Sequence, residues 1–61
     1  MEPPTNREVI KKLEKEGYEK VAQVGSHRKY SNGKRTVTVA GKPSEHQKRG
    51  TWKRTKEQAG W

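Results

Sequence analysis

Tyr18-Glu19-Lys20-Val21-Ala22-Gln23-Val24, then Gly25-Ser26, His27-Arg28-Lys29-Tyr30-Ser31, Asn32-Gly33 and, after two basic residues, Thr36-Val37-Thr38-Val39 form the stretch on which the fold turns. Its three segments are each of strand length, carry aromatic or β-branched residues, and are separated by turn chemistry. Asn32-Gly33 is a strong two-residue hairpin signal, because both residue types accept the positive φ that such a turn demands. Gly25-Ser26 offers a second turn. Thr36-Val37-Thr38-Val39 alternates as a half-buried strand does. The stretch therefore predicts a three-stranded antiparallel meander.

Upstream, Thr5-Asn6-Arg7-Glu8 has the spacing of a capping box, and Val9, Ile10 and Leu13 recur at helical intervals. Glu8 and Lys12 form an i,i+4 pair, and Gly17 suits the left-handed position that ends helices. A helix is predicted from about Asn6 to Glu16. Downstream, Gly41 to Gly50 is polar, with Pro43 and no apolar side chain, and reads as a surface connection whose lysines and Arg49 stay wet. Thr51 then caps a second, short helix that places Trp52, Thr55 and Ala59 on one face, with Gly60 at its exit and Trp61 as a staple. The expected fold class is α+β. Residues 1–61 form a single α-β-β-β-α domain, with two helices packed on one face of a three-stranded antiparallel sheet.

At 61 residues and 25% hydrophobic, the chain has little apolar surface to set against chain entropy. Modest stability is expected, raised by any partner that binds only the folded form. Core positions for Trp52, Trp61, Tyr18 and Tyr30 follow, since so poor a core can hardly leave its largest side chains in water. With no cysteine, neither disulfides nor thiolate zinc sites are open to it. No apolar run reaches the length of a membrane span, so a cytoplasmic location without membrane contact is expected.

The net charge of +8 is unevenly spread: residues 20–61 carry eleven basic side chains against two acidic, while residues 1–19 are nearly balanced. A polyanion, or an acidic protein, is the natural partner of such a surface.

Gly25-Ser26-His27 is the sharpest local feature. A glycine turn sets a histidine at the start of a strand, where its ring can project beside basic residues. Histidine titrates near neutrality, so it can take a proton from a ribose 2′-hydroxyl or give one to a leaving oxygen. Cleavage by the neighbouring hydroxyl requires no metal, provided that cations stabilise the charge on the phosphoryl oxygens. On strand alternation Lys29 shares a face with His27, whereas Arg28 points away with Tyr30. The plainer reading is a surface histidine that ends a hairpin, and spacing alone favours that reading. His46, in the polar connection, reads as a solvated loop residue with an outside role as a phosphate contact. Arg28, Lys29, Lys34 and Arg35 flank the hairpin as backbone clamps or as charges that discourage edge pairing. With no Asp and no Cys, the inventory is too thin for a two-metal nuclease or a zinc site, and no cofactor or metal is expected.

Taken in order, these residues resemble the HicA toxin family, also described as YcfA-like. The likeness runs from Arg7 to Trp61. Its pieces are Arg7-Glu8-Val9-Ile10-Lys11-Lys12-Leu13 with Gly17-Tyr18, Gly25-Ser26-His27 with Tyr30, Thr36-Val37-Thr38-Val39, Lys48-Arg49-Gly50-Thr51, and Gln58-Ala59-Gly60. The resemblance implies a fold like that of a double-stranded-RNA-binding domain, an mRNA interferase activity, a catalytic histidine at His27, and a HicB-type antitoxin as partner. Ser26, Arg28, Lys29, Lys34, Arg35, Lys48 and Arg49 are then the expected RNA contacts, and the free toxin is expected to be monomeric. Thr55 and Lys56 stand where members usually carry apolar side chains, which leaves Trp52 and Trp61 to supply the packing. Two other readings remain open: a non-catalytic RNA-binding module that uses the same basic face, and an interaction protein whose basic surface meets only an acidic protein.

Overall fold

The computed structural model describes residues 2–61 and has five elements: α1 (Asn6–Lys15), β1 (Glu19–Val24), β2 (His27–Ser31), β3 (Thr36–Ala40) and α2 (Arg49–Ala59). The order is the expected α-β-β-β-α. The strands form one antiparallel sheet in the order β1-β2-β3.

Helix α1 begins as its sequence requires. Thr5 Oγ1 accepts from the Glu8 amide at 3.2 Å, and Glu8 Oε1 accepts from the Thr5 amide at 2.9 Å. The Thr5 amide first, and then the Thr5 hydroxyl, which donates to Glu8 Oε1 at 2.9 Å, hold the Glu8 carboxyl below its usual range. The next two amides find acceptors far away in sequence: Asn6 N–H donates to the Glu45 carbonyl at 2.8 Å and Arg7 N–H to the Pro43 carbonyl at 2.9 Å. Both helices end alike. Gly17 and Gly60 lie at φ of 90° and 74°, and the following aromatics, Tyr18 and Trp61, return their amides to Leu13 and Lys56. This six-residue closure satisfies the last carbonyls and turns an aromatic side chain back onto its own helix.

Strand alternation divides the sheet. Tyr30, Val37 and Val39 face the helices and are buried with Val9, Leu13, Tyr18 and Ala59. Thr55 is buried as well, and Ile10, Trp52 and Trp61 pack against this cluster. The two indoles lie 6.0 Å apart and tilted, Trp61 Nε1 donates to Glu16, and Lys12 sits 4.5 Å above the Trp61 ring. Tyr18 and Tyr30 are thus core residues, while Trp52 and Trp61 pack half-buried against the core.

Two expectations require correction. Thr51 does not cap α2: the helix starts two residues earlier, at Arg49, and the Lys48 carbonyl already accepts from Trp52 N–H at 2.8 Å. Lys48 is the N-cap, with extended dihedrals and no side-chain cap bond, because Gln47 N–H is held by the Pro4 carbonyl and sets the entry of the chain. The polar connection is also not wholly on the surface. Gln47 is buried, and residues 42–47 lie against the start of α1, with Asn6 Nδ2 donating to the Lys42 carbonyl. Val21 and Val24, drawn from a scarce apolar supply, are 61% and 78% exposed. The sheet contacts the helices mainly through β3, so β1 lies beyond their cover, and a bulge between Lys20 and Ala22 breaks its register at Val21.

Candidate functional site

The bare face of the sheet carries the strongest candidate. His27 opens β2 directly after the Gly25-Ser26 turn, where Gly25 adopts φ of 59°. That turn is braced from both sides. Gln23 Nε2 donates to the Gly25 carbonyl at 3.1 Å, and Gly41 N–H donates to the Ser26 carbonyl at 3.2 Å. Arg28 Nη1 donates to the Gly41 carbonyl at 3.1 Å. Hence the backbone that presents His27 is held by strand β1, by the residue after β3 and by the neighbouring arginine.

His27 pairs across the sheet with Val24 and with Ala40, and Lys29 pairs with Ala22 and Thr38. Directly opposed residues in a sheet share a face, as do residues two apart along a strand. His27 and Lys29 accordingly line one shallow cavity of about 190 Å³ with Ala22, Gln23, Val24 and Thr38. The imidazole is exposed, and its ring nitrogens make no hydrogen bond among the described residues. An exposed titratable ring, a cation on the same face and a small apolar floor can receive a phosphodiester and the base beside it.

The other expected contacts do not gather there. Ser26 stands beside His27, but Arg28 lies half-buried on the opposite side of the sheet. Lys34 is exposed in the hairpin at the far end of β2, and Arg35 reaches the end of α2, with Nη1 donating to the Gln58 carbonyl at 3.5 Å. A guanidinium at a helix C-terminus meets the negative end of the helix dipole, so Arg35 has a structural role there. Lys48 and Arg49 are exposed at the opposite end of α2. His46 is engaged: its Nδ1 donates to the Pro3 carbonyl at 2.7 Å, and Nε2 lies 3.6 Å from Glu2. Among the described residues no three His, Asp or Glu side chains converge as metal ligands, and no helix is long and apolar enough to cross a membrane.

Ala22, Val24 and Thr38 were not expected at the site. Once the register is known, their alternation with His27 and Lys29 places them there, but the bulge in β1 hides that register from the sequence.

A family model described as HicA toxin of bacterial toxin-antitoxin matches residues 7–61, from the first turn of α1 to the closing tryptophan. No curated protein and no solved structure matches the chain.

Proposed function

The chain belongs to the HicA family of bacterial toxin–antitoxin toxins, a family of ribonucleases whose members pair with a HicB-type antitoxin, and on that premise we propose that it is an mRNA interferase with His27 as its catalytic residue. The observation that carries the proposal is the exposed His27 ring beside Lys29 on the uncovered face of the sheet. In the proposed step a ring nitrogen of His27 takes the proton of the ribose 2′-hydroxyl. The oxygen attacks phosphorus in line, the bond from phosphorus to the 5′ oxygen breaks, and that oxygen leaves with a proton from the ring or from solvent. Lys29 stabilises the charge on the phosphoryl oxygens. The products are a 2′,3′-cyclic phosphate and a 5′-hydroxyl, with no metal taking part.

Ser26 and Lys29 are the contacts nearest the scissile bond, and Lys34, Lys48 and Arg49 extend the basic track for flanking phosphates. Arg28 acts through the Gly41 carbonyl as a positioning residue. Acidic antitoxin surface laid over the His27 face would block RNA and complement a net charge of +8. The site of action is the cytoplasm.

The test is cleavage of single-stranded RNA by the purified chain in EDTA, with end analysis of the fragments. Cyclic-phosphate ends from the parent, and intact RNA still bound by His27→Ala, are expected. Equal cutting by parent and variant removes His27 from the chemistry. Intact RNA with both proteins leaves an RNA-binding module.

A further inference from the structure

Strand β3 carries two threonines, Thr36 and Thr38, and the sheet register gives them different company. Val37 and Val39 are 0% exposed under the helices, so alternation turns both threonines to the uncovered face with His27 and Lys29. Thr36 pairs with Ser31 at the hairpin end of the sheet, whereas Thr38 pairs with Lys29 and lines the His27 cavity. Thr38 is half-buried there. Neither its hydroxyl nor the Lys29 ammonium has a hydrogen-bond or ion-pair partner among the described residues.

The phase of the β2–β3 ladder decides how near Thr38 and Lys29 come. At one end Asn32 N–H donates to the Arg35 carbonyl, and at the other Gly41 N–H donates to the Ser26 carbonyl. Counted inward from either bond, the hydrogen-bonded pairs fall at Tyr30 with Val37 and Arg28 with Val39, so Lys29 with Thr38 and His27 with Ala40 are the non-hydrogen-bonded pairs. The Thr38 amide agrees, since it points off the sheet edge and donates to Gln58 Oε1 at 3.4 Å. Side chains of a non-hydrogen-bonded pair approach more closely than those of the other kind, and His27 stands one diagonal step from Thr38. An imidazole, an ammonium and a hydroxyl therefore border one small depression of about 190 Å³. The hydroxyl lies lowest, on the shortest side chain of the three.

We propose that Thr38 is a further catalytic residue of the RNA cleavage described above, a role that rests on that reading. Its hydroxyl donates to one non-bridging oxygen of the scissile phosphate while Lys29 holds the other. Thr38 exchanges no proton with the substrate: His27 moves the protons, and the threonine bond strengthens as charge gathers on the phosphoryl oxygen. A phosphate held between a short hydroxyl and a long ammonium sits down on the sheet with its two non-bridging oxygens distinguished. The contact is to phosphate and not to a base, so its contribution is the same at every cleaved sequence.

The experiment compares the parent chain with Thr38→Val, Thr38→Ser, Thr36→Val and His27→Ala in single-turnover cleavage of one RNA, carrying at the cleaved position an ordinary phosphate or either phosphorothioate diastereomer. Thr38→Val keeps the shape of the side chain and suits an exposed strand, so its melting temperature should match or exceed the parent's. Its cleavage rate at saturating RNA should fall by about tenfold to a hundredfold, with the half-saturating RNA concentration within about twofold. Thr38→Ser keeps the donor and should recover most of the rate. Thr36→Val, on the same strand and face, should cut as the parent does. Sulfur is a weak hydrogen-bond acceptor. Placed at the oxygen that Thr38 meets, it should slow the parent severalfold more than it slows Thr38→Val, while sulfur at the other oxygen should slow both alike. Damage to the fold does not produce that selective response.

Parent-like cutting by Thr38→Val overturns the role, as does a loss of rate that leaves both sulfur effects unchanged or that Thr36→Val shares. In each of those outcomes a silent His27→Ala leaves the cleavage reading standing. A parent chain that cuts no RNA overturns that reading, and the role of Thr38 with it.

Discussion

Lys29 and Tyr30 are neighbours in β2 and meet opposite surroundings. Tyr30 is sealed under the helices with Val37 and Val39, whereas Lys29 stands on the uncovered face with His27. The helices cover only one side of the sheet, and the chain spends nearly all its large apolar residues there. The uncovered side contributes little to folding and is free to carry chemistry. Stability and activity should therefore respond to different residues of the same strands.

The largest effect expected is functional. His27→Ala should reduce RNA cleavage by about 10²- to 10⁴-fold, the usual worth of a general acid–base residue, with folding free energy within about 0.5 kcal/mol of the parent. Paired cleavage and thermal-melting measurements check this, and a parallel fall in both would break the contrast between the faces. On the covered face, Val37→Ala should cost about 2 kcal/mol, since two carbons leave a site that is 0% exposed and a cavity remains. Urea titration measures it.

Thr5→Ala should cost about 1 kcal/mol by opening the capping box that holds α1 over the sheet. It should also lessen the acid sensitivity tied to Glu8 without abolishing it, because the residue-5 amide that bonds Glu8 Oε1 survives in alanine while the hydroxyl bond is lost. That carboxyl is held below its usual range, so its contribution is present above the ordinary carboxylate range and fades as pH falls through the folded value.

A smaller change belongs to alkaline pH. Burial, reinforced by Glu14 and opposed by Arg28, raises the Tyr30 phenol above its ordinary 10.0. The folded chain prefers the neutral phenol, so its contribution is complete below pH 10.0 and is lost as pH rises through the folded value. Tyr30→Phe should flatten that decline in alkaline melts. The smallest effect is expected at Val24→Ser, within about 0.5 kcal/mol of zero, because the valine is 78% exposed. A cost there equal to that of Val37→Ala would mean that the outer face is covered in solution.

The architecture was largely legible in the sequence because each element carries its own local signal. Thr5 with Glu8 marked the start of α1, Gly17 and Gly60 marked the two helix ends, and Asn32-Gly33 marked the hairpin. The position of His27 at a strand start and its shared face with Lys29 followed from the same alternation. What stayed hidden depends on pairing across distance. The exposure of Val21 and Val24 follows from how far the helices reach over the sheet, and the burial of Gln47 follows from its backbone bond to Pro4. Thr51 resembles a capping residue, yet the connection's docking against α1 brings Lys48 to the cap position first.

The docking of residues 42–47 on the start of α1 has a kinetic consequence. Two of the amides that open the helix are accepted by carbonyls at Pro43 and Glu45, so a chain that has emerged only as far as the hairpin lacks those acceptors. Such a segment must leave that first turn to water, and a short helix frays readily without its cap partners. During synthesis the brace at Gly41 and the closure of α1 therefore arrive together, after the sheet is written.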